Sequence, residues 1–244
     1  MSNNPQAKII TVFNEKGGSG KTTTTCQLAG TLGIRGYDVL VADLDPQESS
    51  AKWLAQRGGV NFKATSWTGH RYGENLNAQL ETQSTKHEII VLDCAPSVEQ
   101  PATWQALLVS DLVIIPTKLN PPDIAALHAA KLLVKKAIEM SGRKIPARVV
   151  PVAARMHMTD DRKAVGDLLA DTAFPVLTQR GDRKNREVVS LGDRKAYTRS
   201  MLIGATAHSL RGSEDSVREI EEMVDAILNI LGLPDTAAAT EGQS

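Results

Sequence analysis

Short aliphatic runs recur along the chain, each followed by a polar turn and then by a segment whose apolar residues have helical spacing. The runs are Lys8–Phe13, Asp38–Ala42, Glu88–Leu92, Leu112–Pro116 and Arg148–Ala153, with a weaker one at Phe174–Leu177. They are rich in Ile and Val and lack polar alternation, which is the pattern of strands buried on both faces. Helices are predicted between them, near 21–35, 47–57, 98–109, 122–140 and 160–171. This alternation predicts an α/β fold, a doubly wound and mostly parallel sheet flanked by helices.

The last helix is the best delimited. Ser216 and Glu219 have the spacing of a capping box, and Val217, Ile220, Val224, Ile227 and Leu231 repeat on one helical face. Gly232 and Pro234 then stop it. Residues from about 235 to 244 are small and polar, and a disordered tail is expected there. With no internal repeat and no linker, 1–244 reads as one domain.

Composition narrows the class. Of 244 residues, 41% are apolar and 23% charged, as in ordinary globular proteins, and aromatics at 4% imply an aliphatic core. Twenty-eight basic against 28 acidic residues give zero net charge, which excludes a uniformly basic nucleic-acid or lipid binder. Cys26 and Cys94 are too few for a disulfide framework or a four-thiolate metal site. The five histidines have no metal-ligand spacing. The start, MSNNPQAK, lacks a secretory pattern, and no apolar run approaches the roughly 20 residues of a membrane span. A reducing cytoplasm is expected. Trp53, Trp67 and Trp104 read as packing residues, and Thr65–Glu74 as a turn-rich stretch.

The sharpest chemistry is Lys16-Gly17-Gly18-Ser19-Gly20-Lys21-Thr22-Thr23, directly after the first strand and opening the first helix. It is a P-loop in its proper context. Glycines let successive N–H groups turn toward phosphate oxygens, and the positive end of the helix adds attraction. Lys21 would reach the β- and γ-phosphates, and the Thr22 hydroxyl would bind Mg²⁺.

With Lys16 at its head, the loop resembles the deviant Walker A motif of the ParA/MinD family of ATPases. Members typically read NQKGGVGKTTT where this chain has Asn14-Glu-Lys-Gly-Gly-Ser-Gly-Lys-Thr-Thr-Thr24. The resemblance implies a homodimer formed on ATP binding, with Lys16 of each subunit crossing to the partner's phosphates. Val41-Ala-Asp-Leu-Asp-Pro-Gln47 is similar to the family's VDxDPQ segment. By position Asp45 would orient the attacking water and Asp43 would help organise the metal shell; a helix cap is the plainer alternative for both. Ile89-Ile-Val-Leu-Asp-Cys-Ala-Pro-Ser97 resembles a Walker B strand, with Asp93 holding Mg²⁺ through water, although the family more often has DxPP there. Pro116–Asp123 resembles PxxPSxxD, which makes Asn120 and Asp123 candidates for interface or nucleotide contacts, with a loop and helix cap as the alternative. Where relatives carry an Asn–Arg pair near the adenine, this chain reads Val150-Pro-Val-Ala-Ala-Arg-Met156, and a guanine-reading NKxD is absent. The expectation of ATP over GTP therefore comes from the resemblance.

Charge by segment separates the behaviours within that family. Residues 212–244 hold eight acids against one base, so a lipid-binding last helix is disfavoured and no membrane partner is expected. The two cysteines suit small core residues better than ligands of a redox cluster. Residues 175–211 instead hold Arg180, Arg183, Lys184, Arg186, Arg194, Lys195, Arg199 and Arg211 against three acids, a net of +5. Without aromatic interleaving, that pattern suits phosphate contacts, and relatives bind non-specific DNA through basic C-terminal residues. A solvated face with local ion pairs is the alternative. Only 15 residues precede Lys16, so the small type of the family is implied, with operator binding left to a separate protein. The resemblance thus implies a nucleoid-associated partition ATPase, weak until stimulated by DNA and a centromere-binding adaptor of ParB-like or ribbon-helix-helix type. The rivals are a positioner of protein cargo and a nucleotide-gated protein switch that binds no DNA.

Overall fold

The computed structural model describes residues 6–56, 62–169, 171–179 and 188–234. Seven strands form one sheet: β1 (Lys8–Val12), β2 (Val39–Asp43), β3 (Ala64–Thr68), β4 (Ile89–Asp93), β5 (Leu112–Thr117), β6 (Ala147–Ala154) and β7 (Leu191–Gly192). Their order is β3-β2-β4-β1-β5-β6-β7, and every neighbouring pair is parallel. The predicted α/β sheet is present. The helices are α1 (Lys21–Ile34), α2 (Ser49–Ala55), α3 (Leu76–Ser84), α4 (Pro101–Val109), α5 (Pro121–Ser141), α6 (Thr159–Leu169), α7 (Lys195–Leu202) and α8 (Glu214–Leu231).

Strand side chains alternate between two cores. Ile10, Val12, Val39 and Val91 join Leu28 and Leu32 of α1 and Ile220, Val224 and Ile227 of α8. Ile9, Leu40, Ile90 and Val113 join Leu76 and Leu80 of α3, Leu107 of α4 and Leu127 of α5. Each such fully buried aliphatic residue contributes about 1.5–3 kcal/mol by leaving water. Double-sided burial is why the central strands read as unbroken apolar runs. Buried polar bridges lock the periphery: Gln27 of α1 donates to Ser200 Oγ at 2.9 Å and accepts from the Ala207 N–H at 2.9 Å.

Four elements depart from the sequence reading. Edge strand β3 overlaps the stretch read as turns from Thr65; Thr65 and Ser66 are exposed, so its sequence carries little apolar signal. Helix α3 buries only Leu76, Leu80 and Ser84, a stripe too thin to stand out. The run at Phe174–Leu177 contributes a single parallel bridge, Val149 to Val176, and the next sheet strand is the two-residue β7. The capping box does not form, because α8 starts at Glu214 after Ser213 and Ser216 lies inside it. Gly232 does end α8, in the left-handed conformation at φ 66° that a C-terminal glycine accepts without strain. The expected tail from 235 lies outside the described residues.

Register places the chemistry. Val12 of β1 and Asp43 of β2 both pair with Asp93 of β4, so three strand ends finish level with one another. Ligands of open parallel sheets bind at that edge.

Candidate functional site

The phosphate loop runs from the end of β1 to the start of α1. Gly18 and Gly20 have φ of 71° and 96°, which residues with side chains rarely adopt. A Cβ on Gly20 would also meet Val152 Cγ2 at 2.9 Å, so the loop packs against β6 as closely as a glycine permits. Asn14 fastens its base, donating to the Pro116 carbonyl at 2.8 Å and accepting the Lys16 N–H at 3.0 Å. Gly17 has open space around it, and Ser19 is buried with a hydroxyl that makes no hydrogen bond.

The two lysines differ. Lys21 is 7% exposed and donates to the Lys16 carbonyl at 3.1 Å. Burial holds its pKa below the usual lysine value, against the pull of Asp93, Cys94 and Asp45. Lys16 is partly exposed and bound to Asp123 Oδ2 at 2.7 Å within the same chain. Asp123 is buried in the first turn of α5, and its N–H donates to Asn120 Oδ1 at 3.1 Å. Asn120 thus caps α5, while Asp123 holds the loop's leading lysine.

The acids divide as well. Asp43 Oδ2 accepts from the Ser50 N–H at 3.0 Å, the Ser50 hydroxyl at 2.8 Å and the Ala51 N–H at 3.0 Å. Its Oδ1 accepts the Asp45 N–H at 3.1 Å, so Asp43 anchors α2. Asp45 is half-buried, and its carboxylate accepts the Gln47 N–H at 2.9 Å. Asp93 is 1% exposed; Thr25 donates to Oδ1 at 3.4 Å, and Oδ2 has no hydrogen-bond partner. Burial, then the charge of Asp43, pushes its pKa up to about 7. Thr22, Ser50 and Lys21 oppose that rise, and a cation beside the carboxylate would oppose it further. Among the described residues no group of three His, Cys, Asp or Glu could hold a metal alone. Mg²⁺ keeps waters and takes one or two carboxylates beside phosphate oxygens, a donor set that Asp93 could join. Thr22, at the second position of α1, would supply the hydroxyl. Cys26 and Cys94 are free and buried, and burial pushes both thiols up, as suits packing residues.

A cavity of about 240 Å³ adjoins the loop, bordered by Gly18, Thr23, Lys118, Ala153, Asp193 and Thr198. Sequence spacing does not connect these residues; β5, β6 and β7 bring them together. Ala153 has φ 49° beside a register shift between Val152 and Ala154. A larger cavity, about 740 Å³, lies between α5 and α6 and includes none of the phosphate-loop residues.

Of the basic candidates, Arg180, Arg183, Lys184 and Arg186 lie outside the described residues. Arg194, Lys195, Arg199 and Arg211 border one cavity of about 370 Å³, together with the chain entering α8. Arg194 is paired with Glu219 at 2.8 Å and Asp215 at 3.1 Å. Lys195, Arg199 and Arg211 make no ion pair with the described residues. Among the described residues, no helix is long and apolar enough to cross a membrane.

The family model described as "CobQ/CobB/MinD/ParA nucleotide binding domain" matches residues 10–233. The maintenance of carboxysome distribution protein A of Gloeobacter kilaueensis is 34% identical over 122 residues, and the match spans 49% of this chain and 53% of that relative, about half its length. The protein of the same name from Halothiobacillus neapolitanus is 26% identical over 225 residues, 88% of this chain and 95% of the relative. A plasmid partition protein of Borrelia burgdorferi, solved with AMPPNP bound, superposes with a TM-score of 0.67 at 20% identity, over 92% of this chain and 99% of its own.

Proposed function

This chain belongs to the CobQ/CobB/MinD/ParA nucleotide-binding family, and on that premise we propose that it is a Mg²⁺-dependent ATPase of the ParA type that positions a large cargo over DNA. The observation that carries the reading is the phosphate loop leaving β1 level with the buried Asp93 of β4, with the desolvated Lys21 close enough to feel the charge of that carboxylate. Gly17, Gly18, Ser19, Gly20 and Thr23 would line the phosphates with backbone N–H groups, and Lys21 would meet their charge. Thr22 and Asp93 would hold Mg²⁺, with Asp43 fixing the strand end beside them. When bound there, Mg²⁺ would supply charge neutralisation at the phosphate oxygens. Asp45, at the open end of β2, would orient the water. Lys16 is held by Asp123 in the single chain and would change partner when two chains close on ATP.

Arg194, Lys195, Arg199 and Arg211 would hold non-specific DNA in the nucleoid; Arg180, Arg183, Lys184 and Arg186 remain candidates from sequence alone. A centromere-binding adaptor would then stimulate hydrolysis and release. A second reading, that the cargo is a protein assembly, is favoured by the two relatives named for carboxysome distribution. Both readings share the same chemistry in one cytoplasmic P-loop domain. Replacing Asp45 with Ala should abolish ATP turnover and leave ATP-dependent dimers in sedimentation; normal hydrolysis by that variant overturns the assignment of roles. Failure of the wild-type chain to bind random duplex at low salt, with ATP and Mg²⁺ present, favours a protein-only switch.

A further inference from the structure

The segment from Gly192 to Arg199 is a wall between two cavities. Gly192, Asp193 and Thr198 border the cavity beside the phosphate loop, opposite Gly18 and Thr23. Lys195 and Arg199 border the basic cavity, and Arg194 borders both. One carboxylate bonds this wall at three of its residues. Glu219 of α8, 8% exposed, accepts the Gly192 N–H at 2.8 Å and the Tyr197 hydroxyl at 2.7 Å. It also accepts Arg194 Nε at 3.1 Å and Nη2 at 2.8 Å. The packing is close: a Cβ on Gly192 would stand 2.9 Å from both Glu219 Oε1 and Arg194 Nε. Arg194 then reaches Asp215 at 3.1 Å, in the first turn of α8 and on the border of the basic cavity.

We infer that Glu219 is a positioning residue that couples the two cavities, so that a nucleotide beside the phosphate loop sets the affinity of the basic cavity for a duplex phosphate. The inference rests on the proposed nucleotide and DNA roles of those cavities. A ligand against Asp193 and Thr198 acts on the segment that also carries Lys195 and Arg199. A phosphate entering the basic cavity competes with Asp215 for Arg194, and Arg194 is tied through Glu219 to the Gly192 backbone. Two sites that bias one element are coupled reciprocally. An exposed surface ion pair would transmit little. Glu219 is instead a nearly buried acceptor whose hydrogen bonds among the described residues all go to one short segment.

The test is anisotropy of a labelled random-sequence duplex at low salt, with and without ATP and Mg²⁺, with dimerisation followed by sedimentation. Wild type should bind duplex about ten-fold or more tightly with nucleotide than without, and Glu219→Gln should bring that ratio within about three-fold of unity while the ATP-dependent dimer persists. A wild-type ratio retained by Glu219→Gln overturns the inference, as does a ratio lost only together with the dimer. Tyr197→Phe removes one donor and keeps the ring; it should lower the ratio by a smaller factor, and it decides the matter if the Gln variant does not fold. Wild-type binding that is equal with and without nucleotide overturns the inference alone. No duplex binding in any nucleotide state overturns the DNA reading and this inference with it.

Discussion

The phosphate-loop edge and the basic cavity are built in opposite ways. At the loop, a contiguous run of residues between β1 and α1 supplies most of the chemistry, and level strand ends bring Asp43 and Asp93 behind it. The loop itself is open, but the two charges behind it are nearly shut off from water: Asp93 is 1% and Lys21 7% exposed, and both have displaced pKa values. The basic cavity is assembled from α7, the loop at Arg211 and the start of α8, and its cations border a polar opening. A buried site makes each charge decisive. An open cavity spreads a smaller effect over several.

The largest break in that comparison should come from Lys21→Ala, expected to lower ATP turnover by about 10²–10³-fold, as loss of one preorganised charge-stabilising group does. Steady-state phosphate release measures it, and a loss under ten-fold would place Lys21 with the open-site cations. Next comes the buried acid. The folded pKa of Asp93, about 7, lies above its ordinary value of 3.8, so the folded chain keeps that proton longer than the unfolded one. Stability without nucleotide or metal should therefore fall as pH rises from about 4 to about 7 and level off above. Asp93→Asn should flatten that slope and raise unfolding free energy at pH 8 by roughly 2–4 kcal/mol. Denaturant titration at both pH values would expose a slope that Asp93 does not cause.

Smaller effects belong to the open side. Lys195→Ala with Arg199→Ala should weaken duplex binding and reduce its dependence on log salt by roughly 0.9 for each phosphate that is no longer neutralised. An unchanged salt slope would leave these as ordinary solvated charges. Smallest is Asp123→Asn, which loosens a pair whose lysine is about one third exposed. A cost of about 0.5–1 kcal/mol in thermal unfolding is expected. The freed Lys16 should also let ATP-dependent dimers form at lower nucleotide concentration, read by sedimentation.

The same contrast explains what could be read from sequence. Strands β1, β2, β4 and β5 announce themselves because both faces are buried, and the P-loop because its glycines and lysines are consecutive. Strand β3 and helix α3 are hidden, since an edge strand and a thinly buried helix carry few apolar residues. Helix α7 is legible only as charge; its buried Tyr197 and Ser200 are too sparse to mark a helical face. Ser216 and Glu219 match a capping box by spacing, yet Glu219 serves Gly192, Arg194 and Tyr197, distant partners that no local rule supplies. The cavity at Lys118, Ala153 and Asp193 depends on three strands and has no sequence signature.

The strand order has a bearing on the chain's synthesis. Strand β1 lies between β4 and β5, so residues 8–12 must wait for residues 89–93 and 112–114 before either neighbour exists. Helix α1, which follows the loop, packs against α8, where Arg35 is bound to Glu221 and Asp225. Contacts so distant in sequence form slowly. During synthesis β1 can acquire its sheet neighbours once residues 89–93 and 112–114 have been made, whereas α1 behind the loop has to wait for α8 at 214–231 before that face is covered.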